Sequence, residues 1–308
     1  MGSESLKDCF LDSSLERGGK KAISFLRDGM IETEISYGQL NQDAVQMANT
    51  FLDMGVTKGD RVVLYLPKSL GFVVAHLALQ RIGAIGVPLN PGFKQSEMEY
   101  LLEDTEAKLV LSGVEQEEII KEINLRLPTV VIHTERPYQD LDFFRSASDV
   151  ITDVDIGPED PGLIIYTSGT TGKPKGAILT QRNLIHDARN IIEIWEIAES
   201  DVLCHSLPLF HVHGLCFALH TALMAGSYVI MLDSFSPEQV IGVLSEREGE
   251  YVCTLFMAVP SMYGKMMEYV GEKKLGFEHM RLLTSGSAPL LVKDFEDKED
   301  IWQGTGGT

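Results

Sequence analysis

The alternation of short apolar runs with longer amphipathic segments is the feature of this sequence that most constrains its fold. Arg61–Leu66 and Ile85–Leu89 are short runs of mainly apolar residues, and the spacing between them predicts a helix over Leu70–Ile82. Gly83 is expected to end that helix. Apolar runs that polar residues hardly interrupt are typical of strands buried on both faces. The pattern therefore predicts a parallel sheet covered by helices.

The same rhythm continues on both sides of a polar stretch at 134–162, which is interpreted as a linker or surface excursion. Ser96 and Glu99 have the spacing of a capping box and predict the start of a helix. We expect one α/β region with two sheets' worth of strands, in subregions of about residues 1–150 and 160–296. Further strands are predicted at 108–111, 129–132, 163–166, 228–232, 251–257 and 281–284, and helices at 115–124, 181–195, 237–247 and 260–269.

The composition is ordinary for a globular protein, but the charge is strongly negative. Of 308 residues 44% are hydrophobic, and 26 Lys and Arg residues stand against 45 Asp and Glu residues, for a net charge of −19. Because nucleic acids are bound by clustered cations, this balance argues against a nucleic acid as the main partner. It does not exclude a nucleotide, since one local basic loop is enough to hold a triphosphate.

The sequence gives no signal for a membrane or for secretion. No apolar run approaches the roughly 20 residues that span a bilayer. The N-terminus has neither the basic region nor the apolar region of a secretory signal. The four cysteines lie far apart, without a C-x-x-C pair. They are interpreted as reduced, mostly buried thiols, and the chain is expected to be cytoplasmic.

The most informative stretch is Tyr166–Gly176, with the sequence YTSGTTGKPKG. Its glycines let the main chain approach a ligand closely. Its hydroxyls are donors that suit phosphate oxygens, and Lys173 and Lys175 add positive charge. The stretch follows an apolar strand, and ligands of open α/β sheets bind beyond the carboxyl ends of strands. The pattern predicts an anion site, and a surface loop rich in turn-forming residues is the alternative.

This stretch is not a Walker A motif. Thr167 stands where that motif has its first glycine, and Pro174 stands where it requires Ser or Thr. The count disfavours a kinase or another P-loop phosphotransferase.

The stretch Tyr166–Gly176 resembles the signature loop of the adenylate-forming superfamily, which contains acyl-CoA synthetases, luciferases and the adenylation domains of peptide synthetases. Three further segments are similar to family segments and follow in the family's order. They are 207–214 (LPLFHVHG), 259–263 (VPSMY) and 285–290 (SGSAPL), with weaker similarity at 37–40, 59–62 and 83–91. The resemblance covers about residues 5–296. It implies an α/β fold, the N-terminal domain of these enzymes, with two mainly parallel sheets flanked by helices.

The resemblance also implies a chemistry. Family members activate a carboxylate with ATP and Mg²⁺ to give an acyl-adenylate and pyrophosphate, and the acyl-CoA branch transfers the acyl group to coenzyme A. The resemblance implies that the phosphates are bound by Thr167, Ser168, Thr170, Thr171 and Lys175, with Thr167 also a ligand of the metal. It implies that the loop closes through Gly169, Gly172 and Gly176. It further implies adenine contacts from Gly286, Ser287, Ala288 and Pro289, and a carboxylate contact from His211. The segments look more like synthetases of the malonyl or fatty-acyl type than like peptide-synthetase domains.

Three side chains keep more than one interpretation. Lys173 is a phosphate ligand or a solvated flank of the loop. His211 lines the carboxylate pocket or is a structural histidine, and with His213 it has the H-x-H spacing of some metal sites, although no third ligand is evident. Arg281 pairs with a second carboxylate of a dicarboxylic substrate, or it is an ordinary charge at the start of a strand.

The family pattern continues with a YG-x-TE motif and a smaller C-terminal domain that this sequence does not match. Residues 297–308 are interpreted as an atypical tail. The chain is therefore expected to be an incomplete acyl-CoA ligase, weakly active or inactive, with exposed sheet edges. A non-catalytic nucleotide-binding or interaction module derived from the ligase is the alternative.

Overall fold

A computed structural model describes residues 5–123, 126–145, 147–150, 153–167, 173–249, 252–271 and 276–288. The chain divides into two compact units, residues 1–20 with 36–187 and residues 21–35 with 188–308. Each unit is built on one mainly parallel sheet, so the fold class predicted from the sequence is confirmed.

The elements alternate along the chain as the apolar pattern predicts. The helices are α1 Leu6–Arg17, α2 Tyr37–Asp53, α3 Leu70–Ile82, α4 Gln95–Thr105, α5 Val114–Ile123, α6 Gln181–Ile194, α7 Thr221–Ala225, α8 Pro237–Ser245 and α9 Pro260–Val270, with a 3₁₀ turn at Tyr138–Asp140 and a π-helical stretch at His213–His220. The strands are β1 Lys21–Arg27, β2 Met30–Ser36, β3 Arg61–Tyr65, β4 Ile85–Pro88, β5 Leu109–Ser112, β6 Thr129–Val131, β7 Pro161–Thr167, β8 Lys175–Thr180, β9 Val202–His205, β10 Tyr228–Leu232, β11 Leu255–Ala258 and β12 Leu282–Ser285.

The strand order differs between the two sheets. Within the described residues, the sheet of the first unit has the order β6-β5-β3-β4-β7-β8, and that of the second has the order β12-β11-β9-β10-β1-β2. In the first sheet the pairs from β6 to β7 are parallel, whereas β7 and β8 are antiparallel. In the second sheet β1, β10, β9, β11 and β12 pair in parallel.

The core of the first unit explains why the apolar pattern was informative. Every residue of α3 is buried, and β4 and β5 are buried along their whole length. Elements covered on all sides can be apolar on all sides, which gives the unbroken runs in the sequence. The predicted bounds of α3 and of β10 agree with the structure.

The start of α4 corrects one prediction. The backbone of Lys94 is extended, and its amide donates a hydrogen bond to Glu97 Oε2 at 2.9 Å. The helix therefore begins at Gln95, and Ser96 already lies in the first turn. The capping box predicted from Ser96 and Glu99 is wrong, because the bond from the N-cap amide to a glutamate three residues on forms two residues earlier, between Lys94 and Glu97.

The polar stretch at 134–162 is tied to α2 by a buried charge. Asp43 is 1% exposed and accepts hydrogen bonds from the Tyr138 hydroxyl and from Gln39 Nε2. Arg145 Nη1 lies 3.4 Å from Asp43 Oδ1, and its guanidinium lies over the Tyr138 ring. These contacts attach Tyr138 and Arg145 of the polar stretch to α2 of the first unit.

Two observations bear on the cysteines and on membranes. The four cysteines all lie in described positions, where each is buried and none forms a disulfide. Across the described part of the chain, no helix has the length and hydropathy that crossing a bilayer requires.

Candidate functional site

The stretch Tyr166–Gly176, called the Gly/Thr stretch from here on, connects β7 to β8 at the edge of the first sheet. Thr167 and Lys175 are opposite each other in the register of this antiparallel pair, as are Tyr166 and Gly176. Thr167 Oγ1 lies 3.5 Å from the carbonyl oxygen of Lys175. The two strands thus bring together the predicted phosphate ligands at the two ends of the stretch. The other candidates in it lie outside the described residues: Ser168, Gly169, Thr170, Thr171 and Gly172.

The two lysines of the stretch have different surroundings. Lys173 Nζ lies 4.8 Å from the centroid of the Tyr100 ring, a cation–π contact. Lys175 is exposed, and among the described residues its side chain has no hydrogen-bond or ion-pair partner. Lys175 therefore keeps its charge available for an anion, whereas Lys173 is held against an aromatic ring.

Gly176 has a packing role in β8. A Cβ at this position would lie 2.8 Å from Ile164 Cγ2 and 3.4 Å from Tyr166 Cζ. The absence of a side chain lets the Tyr166 ring lie close to the opposite strand. The resemblance implies a role in loop closure for this glycine, and that role stays a prediction.

In the second unit, the segment after β12 is docked on His213. Ser287 Oγ lies 3.1 Å from His213 Nδ1, and a Cβ on Gly286 would lie 3.3 Å from His213 Cε1. Ser287 has a φ of +65°, which is uncommon for a residue with a side chain. The predicted adenine segment is thus held in a particular shape by a buried histidine. Pro289 lies outside the described residues.

The two histidines of the H-x-H pair differ in their exposure. His211 is exposed, and its ring contacts the Phe210 ring at 4.4 Å between centroids. His213 is buried, and burial lowers the pKa of both histidines. A pocket role was expected for His211, whereas the contact of His213 with Ser287 leaves no mark in the local sequence. Within the described part of the chain, no three or more His, Cys, Asp or Glu side chains form a group that could bind a metal ion.

The lowered pKa of His213 predicts a pH dependence of stability. Burial lowers the pKa of His213 in the native state, so the native protein takes up this proton at a lower pH than the unfolded chain, whose usual pKa is about 6.5. The contribution of His213 is therefore present above that pH and is lost as the pH falls below it. We expect His213→Gln to make the fall of the thermal midpoint between about pH 7 and pH 5 shallower than in the unchanged chain.

Circular dichroism melts at a series of pH values measure this effect. His186→Gln is the matched control, because His186 is exposed on α6. It controls for the loss of one histidine from the chain. Equal slopes for His213→Gln and the unchanged chain would show that burial does not lower the pKa of His213.

Arg281 is engaged within the second unit. Its Nε and Nη2 donate to the two carboxylate oxygens of Asp201 at 3.1 and 2.6 Å, and its Nη1 donates to the Trp195 carbonyl oxygen at 2.8 Å. Asp201 is 4% exposed and also accepts a hydrogen bond from Thr254 Oγ1 at 2.7 Å. These contacts favour the structural interpretation of Arg281 over a contact with substrate.

Comparison with known proteins agrees with the resemblance. The family model described as AMP-binding enzyme matches residues 12–304. A malonate–CoA ligase of Mus musculus, described as mitochondrial, is 32% identical over 254 residues, and the match covers 78% of this chain and 42% of that protein. The chain therefore spans less than half the length of this curated relative.

Solved structures give the same result for the fold. The structure of ATP-bound MatB from Rhodopseudomonas palustris is 30% identical with a TM-score of 0.85, covering 96% of this chain and 57% of that one. The inhibitor-bound N-terminal domain of FACL13 from Mycobacterium tuberculosis is 24% identical with a TM-score of 0.83, and the match covers 96% of this chain and 74% of that one. At that identity, the second likeness shows the fold alone. Since the family model matches most of the sequence, the chain belongs to the AMP-binding enzyme family.

Proposed function

We propose that this chain carries the nucleotide-binding and carboxylate-binding part of an acid–thiol ligase. Such a ligase activates a carboxylate with ATP and then passes the acyl group to coenzyme A. The pairing of Thr167 and Lys175 across the β7–β8 hairpin carries the proposal, because it joins a hydroxyl and an uncommitted cation at the predicted triphosphate site. The reaction as a whole is part of the proposal, since the chain spans 42% of the mouse ligase.

The first step requires little covalent chemistry from the protein. A carboxylate oxygen attacks the α-phosphorus of ATP, a new C–O–P linkage forms, and the bond to pyrophosphate breaks. The protein must hold the reactants in line and neutralise the charge that develops on the leaving group. Lys175 is suited to the second task because its ammonium group is exposed and uncommitted. The hydroxyls of Thr167 and of the residues that follow it are proposed to bind the β- and γ-phosphates.

Thr167 is also the proposed oxygen ligand of a Mg²⁺ ion bound by the nucleotide. Mg²⁺ prefers hard oxygen ligands and usually keeps water and phosphate in its coordination shell, so one protein hydroxyl is a fitting contribution. The Thr167 hydroxyl is exposed, and its contact with the Lys175 carbonyl is long at 3.5 Å. When bound, the ion would neutralise phosphate charge.

The residues of the second unit are proposed to bind the rest of the substrates. Gly286, Ser287 and Ala288 are the proposed adenine contacts, together with Pro289, and the contact of Ser287 with His213 supports a fixed shape for this segment. His211 is the proposed contact of the carboxylate. The printed names of the relatives make malonate the first acid to test, with a longer monocarboxylate as the comparison.

Carboxylate-dependent release of pyrophosphate from ATP tests the proposal. The 308-residue chain is incubated with ATP, Mg²⁺ and either malonate or butyrate, and the acyl-adenylate is trapped with hydroxylamine. Release that depends on the acid and that Lys175→Met abolishes would support the ligase. ATP binding without release that neither malonate nor butyrate affects would contradict a carboxylate-binding part and favour the non-catalytic module. The absence of both binding and release would contradict both.

A further inference from the structure

Helix α4 is a rigid platform beside the β7–β8 hairpin. Its buried residues Met98, Leu101 and Leu102 pack in a hydrophobic core cluster of the first unit with Val63 and Val110. Side chains four residues apart on a helix lie on the same face. Tyr100 and Asp104 therefore project together from a helix whose position is fixed by the core.

The upstream end of the Gly/Thr stretch is bound to this face. The Tyr166 hydroxyl donates a hydrogen bond to Asp104 Oδ2 at 2.6 Å. Tyr166 is the penultimate residue of β7, and its ring packs against the same core. Burial and the hydrogen bond to Asp104 raise the pKa of Tyr166, so its hydroxyl stays protonated and remains a donor.

The downstream end of the stretch is bound to the same face. The Tyr100 hydroxyl lies 3.0 Å from the carbonyl oxygen of Pro174 and 3.4 Å from Asp104 Oδ1, the two acceptors available to its proton. The Tyr100 ring holds Lys173 Nζ at 4.8 Å from its centroid. The residues just before β8 thus contact α4 through a backbone acceptor and a cation.

We propose that Tyr100 and Asp104 are positioning residues for triphosphate binding: they fix both ends of the Gly/Thr stretch to one helix and leave Lys175 as the cation that meets the phosphates. We call Tyr100, Asp104, Tyr166, Lys173 and Pro174 the α4 clamp. Fixing the two ends of a segment reduces the conformational entropy that ligand binding would otherwise cost. The inference rests on the proposed function, because the clamp acts through residues proposed to bind ATP.

The affinity of Asp104→Ala for ATP distinguishes a positioning role of Asp104 from a purely electrostatic effect of its carboxylate. Removing a carboxylate near an anion site should strengthen ATP binding if charge were its only effect. The clamp predicts the opposite result, a loss of about tenfold or more for ATP with a change below about threefold for AMP, which lacks the β- and γ-phosphates. Glu103→Ala is the matched control, because Glu103 is an exposed carboxylate on the same helix. It should change neither affinity by more than about twofold.

Titration calorimetry of the chain with each nucleotide measures these affinities. ATP binding by Asp104→Ala that equals or exceeds that of the unchanged chain would overturn the proposal. Tyr100→Phe provides a second variant that keeps the ring over Lys173 and removes only the hydroxyl. A loss of about threefold or more for ATP is expected, since one hydrogen bond to the stretch is removed. An unchanged affinity would contradict the role of the Tyr100 hydroxyl.

Amide hydrogen exchange without nucleotide tests the clamp independently of ATP. In Asp104→Ala the amides of β7 and β8 should exchange about fivefold or more faster, while those of α3 stay unchanged. Unchanged exchange in β7 and β8 would overturn the clamp even if ATP binds. If exchange accelerates but the unchanged chain binds no ATP, the contacts stand and their role in triphosphate binding falls with the proposed function.

Discussion

Lys175→Met is expected to weaken ATP binding by about 30-fold or more, as the loss of a hydrogen bond to a charged group predicts. Lys175 is exposed, and among the described residues its side chain has no other partner, so its charge is free to meet the phosphates. Methionine keeps a chain of similar length and removes the ammonium group. The dissociation constant of ATP, measured by titration calorimetry, gives the result.

Lys173→Met is the matched control for this substitution. It makes the same chemical change two residues away, but Lys173 Nζ contacts the Tyr100 ring. Losing a cation–π contact at an exposed site is worth about 0.5–1 kcal/mol, so ATP binding should weaken by at most about fivefold. AMP binding should be unchanged in both variants. Equal losses at both lysines would contradict the assignment of Lys175 as the phosphate ligand.

Arg281→Met is expected to lower the free energy of unfolding by about 2–4 kcal/mol at neutral pH, because it leaves a buried carboxylate without its cation. Asp201 accepts two hydrogen bonds from Arg281, and its side chain is 5% exposed. The Arg281 side chain is 39% exposed, which places the effect below that of a fully buried pair.

The pH dependence of this loss has a definite sign. Burial alone would raise the pKa of Asp201, but hydrogen bonds from Arg281, the Ala198 amide and Thr254 hold it below its usual value. The ionised carboxylate therefore stabilises the native state above its unfolded pKa of about 3.9, and this contribution is lost as the pH falls through the native pKa. In Arg281→Met the hydrogen bonds from Arg281 no longer lower the pKa of Asp201, while burial still raises it. The Asp201 carboxyl of the variant should therefore take up a proton at a higher pH than that of the unchanged protein. The difference in stability between the two proteins should narrow as the pH falls from about 7 to about 4.

Urea unfolding across that pH range measures the difference. Arg182→Met is the control, because Arg182 pairs with Glu159 at the surface, where the two side chains are 56% and 72% exposed. It should cost no more than about 1 kcal/mol. A loss below about 1 kcal/mol for Arg281→Met, accompanied by lost selectivity for malonate over butyrate, would favour the substrate role instead.

The two elements whose bounds the sequence predicted residue for residue, α3 and β10, are buried on all sides. The apolar run of α3 and that of β10 are covered by neighbouring elements, so burial alone determines their pattern. The strand β8 was not predicted, because Lys175–Ile178 are exposed and show no alternation of apolar and polar residues. Hydrogen bonding to β7 makes this segment a strand. Such pairing leaves no periodic pattern in the segment's own sequence.

In the candidate site, the sequence identified residues within one local motif but not contacts between residues distant in the chain. The local motif identified Thr167 and Lys175, which the hairpin then brings opposite each other. The partners of His213 and Arg281 were missed because they lie 74 and 80 residues away in the chain. Tyr100 is equally distant from the stretch that it contacts. Periodicity and motif spacing report local structure, and they do not indicate which distant side chains meet.

The affinity of the unmodified 308-residue chain for ATP, ADP and AMP in the presence of Mg²⁺ tests the central claim most directly. If the segment ahead of Lys175 binds a triphosphate, the affinity should rise with each added phosphate and be about tenfold or more higher for ATP than for AMP. Because the gain comes from charge, it should shrink at high salt. Equal affinities for the three nucleotides, or no binding of ATP, would contradict the account.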